Sequence, residues 1–541
     1  MGFNWRCGPA VAVAGVALAL TACGGSYEGS DDSGGSPASG TQQEGGGTLR
    51  VNMAVAPGTL DPASGCGAND LALIGNLYAR LTRYGSKSGP DGTTEFDPDT
   101  IEPDVAESMD VSEDGKTYTF KLPDGLKFPS GEPVDSEAVK YSIERGLTVN
   151  GCGGYFLIDG IPGLIERIET PDPLTVVFRL SQPDPNFPEA MAQPAAGIVD
   201  ESLVSKNGGV KKNTVNEWMQ SHSAGYGPFL LDAYEPNRRT VLKANPDWHG
   251  EAPASDTIEI TYVNADPTLL LQARSRNADV TLGLSKQSAN SLEGQDGVRL
   301  IVNESPLSEQ IGLPNGKKPF DNVKFREALT YALPYQEIVD KVAFGYGTLF
   351  YGPLQPVLTE FNEELSPPRE YDIERAKQLI QESGVKTPVD VEMAIQEGNT
   401  AEEQIATIAQ GEWRALGVNV KIRKLPAAQY ITGLQEHKYQ SYVRLDGPGV
   451  IDAGYYLGYD MICDIGFNLS EVCIKDADRL HAQARKETDD AERQRLYDKI
   501  TQLWVEQSPK IHVYADRHVA VVGEGVNYHY AHEIDMRSWG K

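Results

Sequence analysis

The sequence predicts an α/β protein of two lobes, and three observations carry that expectation. The chain has 541 residues, more than a single hydrophobic core supports, so it should divide. Strand and helix patterns interleave along its whole length instead of segregating. Its second half contains a clean helix–strand unit, Ile405–Leu416 followed by Gly417 and Val418–Ile422, the building block of a largely parallel sheet.

The individual elements follow from periodicity. Alternation of apolar and polar residues marks strands at Thr117–Leu122, Thr175–Leu180, Thr240–Lys243, Ile258–Val263, Val389–Met393, Val418–Ile422 and His512–Val521. Helical spacing marks Leu71–Leu81, Val139–Leu147, Ile373–Ile380, Ile405–Leu416 and Leu496–Trp504. A single longer helix is expected over Val323–Val342, with Asp321 as its N-cap. Asp114-Gly115, between alternating segments, reads as a hairpin turn. Phe229 after Gly227-Pro228 is assigned to the core, and Arg326 among helical apolar residues to a buried ion pair.

Composition narrows the function. A formal net charge of -29 argues against nucleic acid and anionic lipid head groups as partners, because both need a basic surface. Mean hydropathy of -0.38 is that of a water-exposed globular chain. The run Pro9–Leu20 is too short to span a bilayer and fits the apolar region of an export signal. It ends in Leu20-Thr21-Ala22-Cys23-Gly24, which resembles a bacterial lipobox, so Cys23 is expected to carry a lipid anchor. Residues 24–47 are almost entirely small and polar and read as a flexible tether. The expected location is the outer face of the cell membrane.

Four cysteines remain beyond the leader and anchor: Cys66, Cys152, Cys463 and Cys473. In an exported chain they favour two disulfides over a metal site, and no CxxC pair occurs. Of the three pairings possible, the short Cys463–Cys473 loop is favoured, which leaves Cys66–Cys152. No metal and no cofactor are expected.

Several stretches occur together in one order: Thr59-Leu60-Asp61-Pro62-Ala63; Ile101-Glu102-Pro103-Asp104-Val105-Ala106; Asp114 to Leu122; Ser142-Ile143-Glu144-Arg145; Gly225-Tyr226-Gly227-Pro228-Phe229; Asn245-Pro246-Asp247-Trp248; and Lys324-Phe325-Arg326-Glu327-Ala328-Leu329. In this the chain resembles the peptide-, nickel- and oligosaccharide-binding proteins of ABC importers, solute-binding protein family 5. The resemblance implies a two-lobed periplasmic-binding-protein-like fold (type II, cluster C) with an extra inserted subdomain. One lobe would comprise residues 49–85, 167–299 and 506–541, the insertion 86–166, and the other lobe 300–505, with strands crossing near Leu300–Glu304 and Pro509–Val513. It implies a monomer that captures a small molecule or peptide by hinge closure and delivers it to an ABC permease.

Contacts in such a protein come from loops facing the cleft between lobes. The loop Asp61–Asp70 is one candidate, with Gly65 and Cys66 as contacts and a disulfide to Cys152, beside Tyr155-Phe156, stiffening one wall. The other is Arg444–Asp452 with Tyr455, Tyr456 and Tyr459, from which Asp446, Asp452 and Tyr455 are the expected contacts; loop capping is the competing role for either Asp. In dipeptide-binding relatives the matching loop is similar to Gly-Trp-x-x-Asp…Asp-Pro-Asp, whose first Asp holds the ammonium. Here Gly449 falls at that carboxylate, and no Arg stands in Ala394–Thr400, where such relatives pair the other end. The departure argues for an oligopeptide held mainly by its backbone over a free dipeptide. Sugars rank behind peptides because sugar sites stack on Trp, and several of the five Trp beyond the leader sit in core patterns.

Enzymatic motifs do not compete. Ser383-Gly384-Val385-Lys386 matches a bare SxxK spacing, but at a helix end and without its companion elements. His529-x-x-His532-Glu533 has metal-like spacing amid Tyr and Asn and reads as surface. A binding protein that senses instead of transporting would have the same sequence.

Overall fold

The strands Val298–Gly312 and Ile511–Gly523 pair antiparallel along most of their lengths and form the spine of the molecule. The structure is a computed structural model, and it describes residues 46–541 apart from 448, 464–467 and 532–533. The export signal, Cys23 and nearly all of the tether lie outside the described residues, as do Pro448, His532 and Glu533.

An 11-stranded sheet extends from both sides of that spine. On one side stand Ser441–Asp446, Val389–Gln396 and Val418–Leu425, the last two paired in parallel. This is the helix–strand–helix half expected from the sequence. Helices Ile373–Ser383 and Thr400–Arg414 cover it, and their apolar stripes bury Leu379, Ile405, Ala409 and Trp413 against Val391, Val418 and Val443. On the other side lie Val280–Leu282, Thr48–Met53, Thr257–Tyr262, Arg239–Ala244 and Phe229–Glu235, with Leu49, Val51, Ile258, Ile260 and Phe229 buried.

A separate four-stranded antiparallel sheet joins Ser108–Val111, Thr117–Lys121, Thr175–Leu180 and Ile165–Asp172. Gly115 turns its first hairpin at φ 65°, a conformation that suits a residue without a side chain. Helix Ser136–Val149 packs on this sheet through Val139 and Ile143, capped by Asp135, whose carboxylate accepts from the Ala138 N–H.

The structure differs from the sequence reading at four points. The expected long helix over Val323–Val342 is two helices, Val323–Tyr331 and Tyr335–Lys341, because Pro334 has no N–H to continue the ladder. Its N-cap is Asn322, not Asp321: the Asn322 side chain accepts from the Phe325 N–H at 3.1 Å. The first helix, Ala68–Leu77, stops before Tyr78, whose backbone is extended, so it does not reach the expected Leu81. Arg326 is buried as expected, but it donates to the carbonyls of Phe320, Gln507 and Ser508 instead of to a carboxylate. Burial lowers its pKa to about 10, outweighing the opposing pull of Tyr351 and Asp321.

Candidate functional site

A cleft of about 310 Å³ opens between two walls. One wall is the start of helix Ala68–Leu77 and helix Cys152–Leu157; the other is the end of strand Ser441–Asp446 and helix Ala453–Met461.

The first wall is held by close backbone approach. A side chain at Gly153 would meet the Pro62 carbonyl oxygen at 2.2 Å, so only glycine lets this helix lie against the Asp61 loop. The Cys66–Cys152 disulfide fastens the same junction, and Cys463–Cys473 forms as well. Cys66, Ala68, Leu71, Tyr155 and Phe156 face the cleft from here.

The second wall uses both periodicities. Arg444 and Asp446, two apart on a strand, share a face, and Arg444 donates to Asp446 at 2.7 Å. Tyr455 and Tyr459, four apart on a helix, share a face with rings 6.3 Å apart and nearly parallel. Leu307, Ile431, Leu434 and Leu469 complete an apolar lining around the single Arg444–Asp446 pair. The walls meet through aromatic contacts: Tyr455 lies 5.8 Å from Tyr155 and 6.3 Å from Phe156. Burial pushes the Tyr155 hydroxyl up to about 12 and Tyr455 well above its ordinary value, so both stay neutral donors. Asp446 holds the Arg444 guanidinium firmly charged.

Of the residues singled out in the sequence, Cys66, Asp446 and Tyr455 line this cleft together. Gly65 and Asp452 do not. Gly65 faces Ile74 and Asp70, and the N–H groups of Cys66 and Gly67 are already taken by Asp70, at 3.2 and 3.1 Å. Asp452 is 6% exposed and caps helix Ala453–Met461 by accepting from the Tyr455 N–H. It also stands 3.6 Å from Arg485. Gly449 is packed against Phe156, whose ring carbon would lie 2.3 Å from an added side chain, so no carboxylate fits there.

Sequence reasoning missed the aliphatic lining. Leu71, Leu307, Ile431, Leu434 and Leu469 come from four separate segments, and nothing in an isolated aliphatic residue distinguishes a cleft from a core. Ser383 donates to the Ile380 carbonyl at its helix end, and His529, expected at the surface, is instead buried with Nδ1 2.8 Å from the Thr94 hydroxyl. Among the described residues no helix is long and apolar enough to cross a membrane.

Comparison with known proteins agrees with this architecture. The peptide-bound periplasmic binding protein DppA of Helicobacter pylori superposes with a TM-score of 0.80 at 20% identity, covering 92% of this chain and 99% of that one. The dipeptide-binding protein of Pseudoalteromonas sp. SM9913, solved with Met-Leu, gives 0.78 at 21% identity, covering 91% of this chain and all of that one (100%). In sequence, the probable D,D-dipeptide-binding periplasmic protein DdpA of Escherichia coli K12 is 26% identical over 470 residues, 86% of this chain and 88% of the relative. These likenesses give the chain the two-lobed α/β fold of periplasmic binding proteins. Residues 100–466 match the middle region of one family throughout, and the chain belongs to the bacterial extracellular solute-binding proteins, family 5.

Proposed function

We propose that the chain is the lipid-anchored substrate-binding component of an ABC importer, taking a short peptide into the cleft by hinge closure. The observation that carries this reading is the cleft itself: about 310 Å³, predominantly apolar and aromatic, with one ion pair to orient the ligand. That volume lies at the small end of ligand sites and favours two or three residues, a shorter ligand than the oligopeptide expected from the sequence. Several similar proteins are named for peptide ligands or were solved with one bound, which supports the same class.

In this reading Cys66, Asp446 and Tyr455 touch the ligand, Arg444 orients Asp446, and Gly65 and Asp452 act behind the walls. In this reading the lobes keep the bounds given above, with the inserted subdomain carried on to Leu180, the end of its sheet. The strands Val298–Gly312 and Ile511–Gly523 are the hinge. Cys23 anchors the protein to the outer face of the membrane, where a monomer reaches its permease.

A thermal-shift screen of the purified protein against di- and tripeptides, including Met-Leu, tests the ligand class. A peptide at about 100 times its Kd should add about 2.7 kcal/mol of stability. Silence toward all peptides alongside a response to a sugar or a nickel complex would reject the peptide reading and leave the family assignment intact.

A further inference from the structure

Behind the cleft, one guanidinium joins the structures that carry its two walls. Arg485, at the C-terminus of helix Lys475–Ala484, is 3% exposed and ion-pairs with three carboxylates. Asp159 belongs to the turn that follows the Tyr155–Phe156 helix. Asp184 precedes helix Phe187–Ala192 and sits 3.0 Å away. Asp452 caps the helix of Tyr455 and Tyr459 and stands at 3.6 Å. Asp159 and Asp184 lie in the N-terminal half of the chain, and Arg485 and Asp452 in the C-terminal half, so the contact crosses between the walls.

The charges do not balance. Glu189 from helix Phe187–Ala192 and Glu360 from the loop before Phe361 face the same cluster, which brings its carboxylates to five. Besides Arg485, the cation nearby among the described residues is Arg493, which is already engaged by Asp490 at 2.7 Å and by the Glu487 carbonyl. His481 adds no charge at neutral pH: its Nε2 bonds the Gly454 carbonyl, and burial together with Arg485 lowers its pKa to about 4. Tyr118, Tyr155, Tyr455 and Tyr497 also face these carboxylates and are held neutral by burial, and Asp99 faces Glu360. Asp159 Oδ1, Asp184 Oδ2 and Glu189 Oε2 are buried with no hydrogen-bond partner among the described residues. A carboxylate oxygen shut away from water without a donor disfavours the charged form.

We propose that Arg485 is a positioning residue that latches the two walls of the ligand cleft together, and that the latch closes with uptake of a proton by its surplus carboxylates. This rests on the hinge-closing reading above. Separating the walls returns the carboxylates to water and releases the proton. Burial raises Glu189 to about 8 and Glu360 to about 7, and it raises Asp159 and Asp184 as well. The closed state therefore binds protons more tightly than the open one. Its advantage is full below the ordinary carboxylate value of about 4.5 and is lost as pH rises through about 7 to 8.

Energy transfer between dyes on Val111→Cys and Tyr371→Cys, both exposed sites in different halves, reads closure of the full chain without any ligand. Transfer should fall as pH rises from 5 to 9. Glu189→Gln should shrink that fall and hold the closed value to higher pH, while Arg485→Gln should give the open value throughout. Asp159→Asn, which keeps its shape, repeats the Glu189→Gln effect if Arg485→Gln does not fold. A flat profile in the parent, or a Glu189→Gln profile that superposes on it, overturns the latch. Because no ligand is present, failure to bind peptides leaves this result untouched, and a flat profile in a chain that does bind peptides removes the latch alone.

Discussion

Arg145 meets both carboxylate oxygens of Asp61, at 2.8 and 2.7 Å, with both side chains almost wholly buried. The pair joins two short stretches that the sequence shows 84 residues apart, and it ties helix Ser136–Val149 to the loop at the edge of the cleft. Breaking such a pair leaves a buried charge uncompensated. Arg145→Ala is therefore expected to cost about 3–5 kcal/mol in urea denaturation. A cost within error of zero would mean that water replaces the guanidinium at no penalty.

The two disulfides should differ in value. Cys66–Cys152 closes a separation of 86 residues and Cys463–Cys473 one of 10. On loop entropy, replacing the first pair with Ser should cost about 4–5 kcal/mol and the second about 3 kcal/mol. Equal losses would show that native-state contacts outweigh the chain constraint.

Asp452 separates capping from ligand contact. Its carboxylate accepts from the Tyr455 N–H, so Asp452→Ala should lower the stability of the ligand-free protein by about 1 kcal/mol. Asn caps nearly as well, so any change in Asp452→Asn reads the ion pair with Arg485 and not the cap. An Ala variant that keeps its stability but loses ligand would restore Asp452 as a direct contact.

Acid should weaken the fold through His481. Its pKa falls from about 6.5 in the unfolded chain to about 4 in the native one, chiefly because it is buried. A depressed histidine contributes stability above 6.5 that is lost as pH falls toward 4, here on the order of 3 kcal/mol. Denaturation of the parent and His481→Gln at pH 7, 6, 5 and 4 should show the parent losing this amount relative to the variant as pH falls. The raised carboxylates Glu189 and Glu360 act with the opposite sign in both proteins and cancel in the difference, as does His512, which is shifted the same way as His481.

Most of the frame was legible because its signals are local. Alternation located the strands Thr175–Leu180 and Thr257–Tyr262 within a residue. The Val323–Val342 helix failed where a single proline outweighed the apolar period. The site was legible only in its polar and disulfide parts: Cys66, Asp446 and Tyr455 stand on the cleft. Asp452 was drawn to the right loop, but its side chain turns inward to a helix end. Arg485 gave no signal, because its partners Asp159, Asp184 and Asp452 lie up to 326 residues away and only the fold assembles them.

Leu307 faces the cleft from the strand Val298–Gly312, and filling its place tests the central claim most directly. The measurement is calorimetric titration of the parent and Leu307→Trp with the peptide that gives the largest thermal shift. The account predicts that Leu307→Trp loses at least tenfold in affinity while its urea midpoint stays near the parent's. A Leu307→Trp protein that binds the peptide as the parent does would place the ligand elsewhere and contradict the assignment of this cleft.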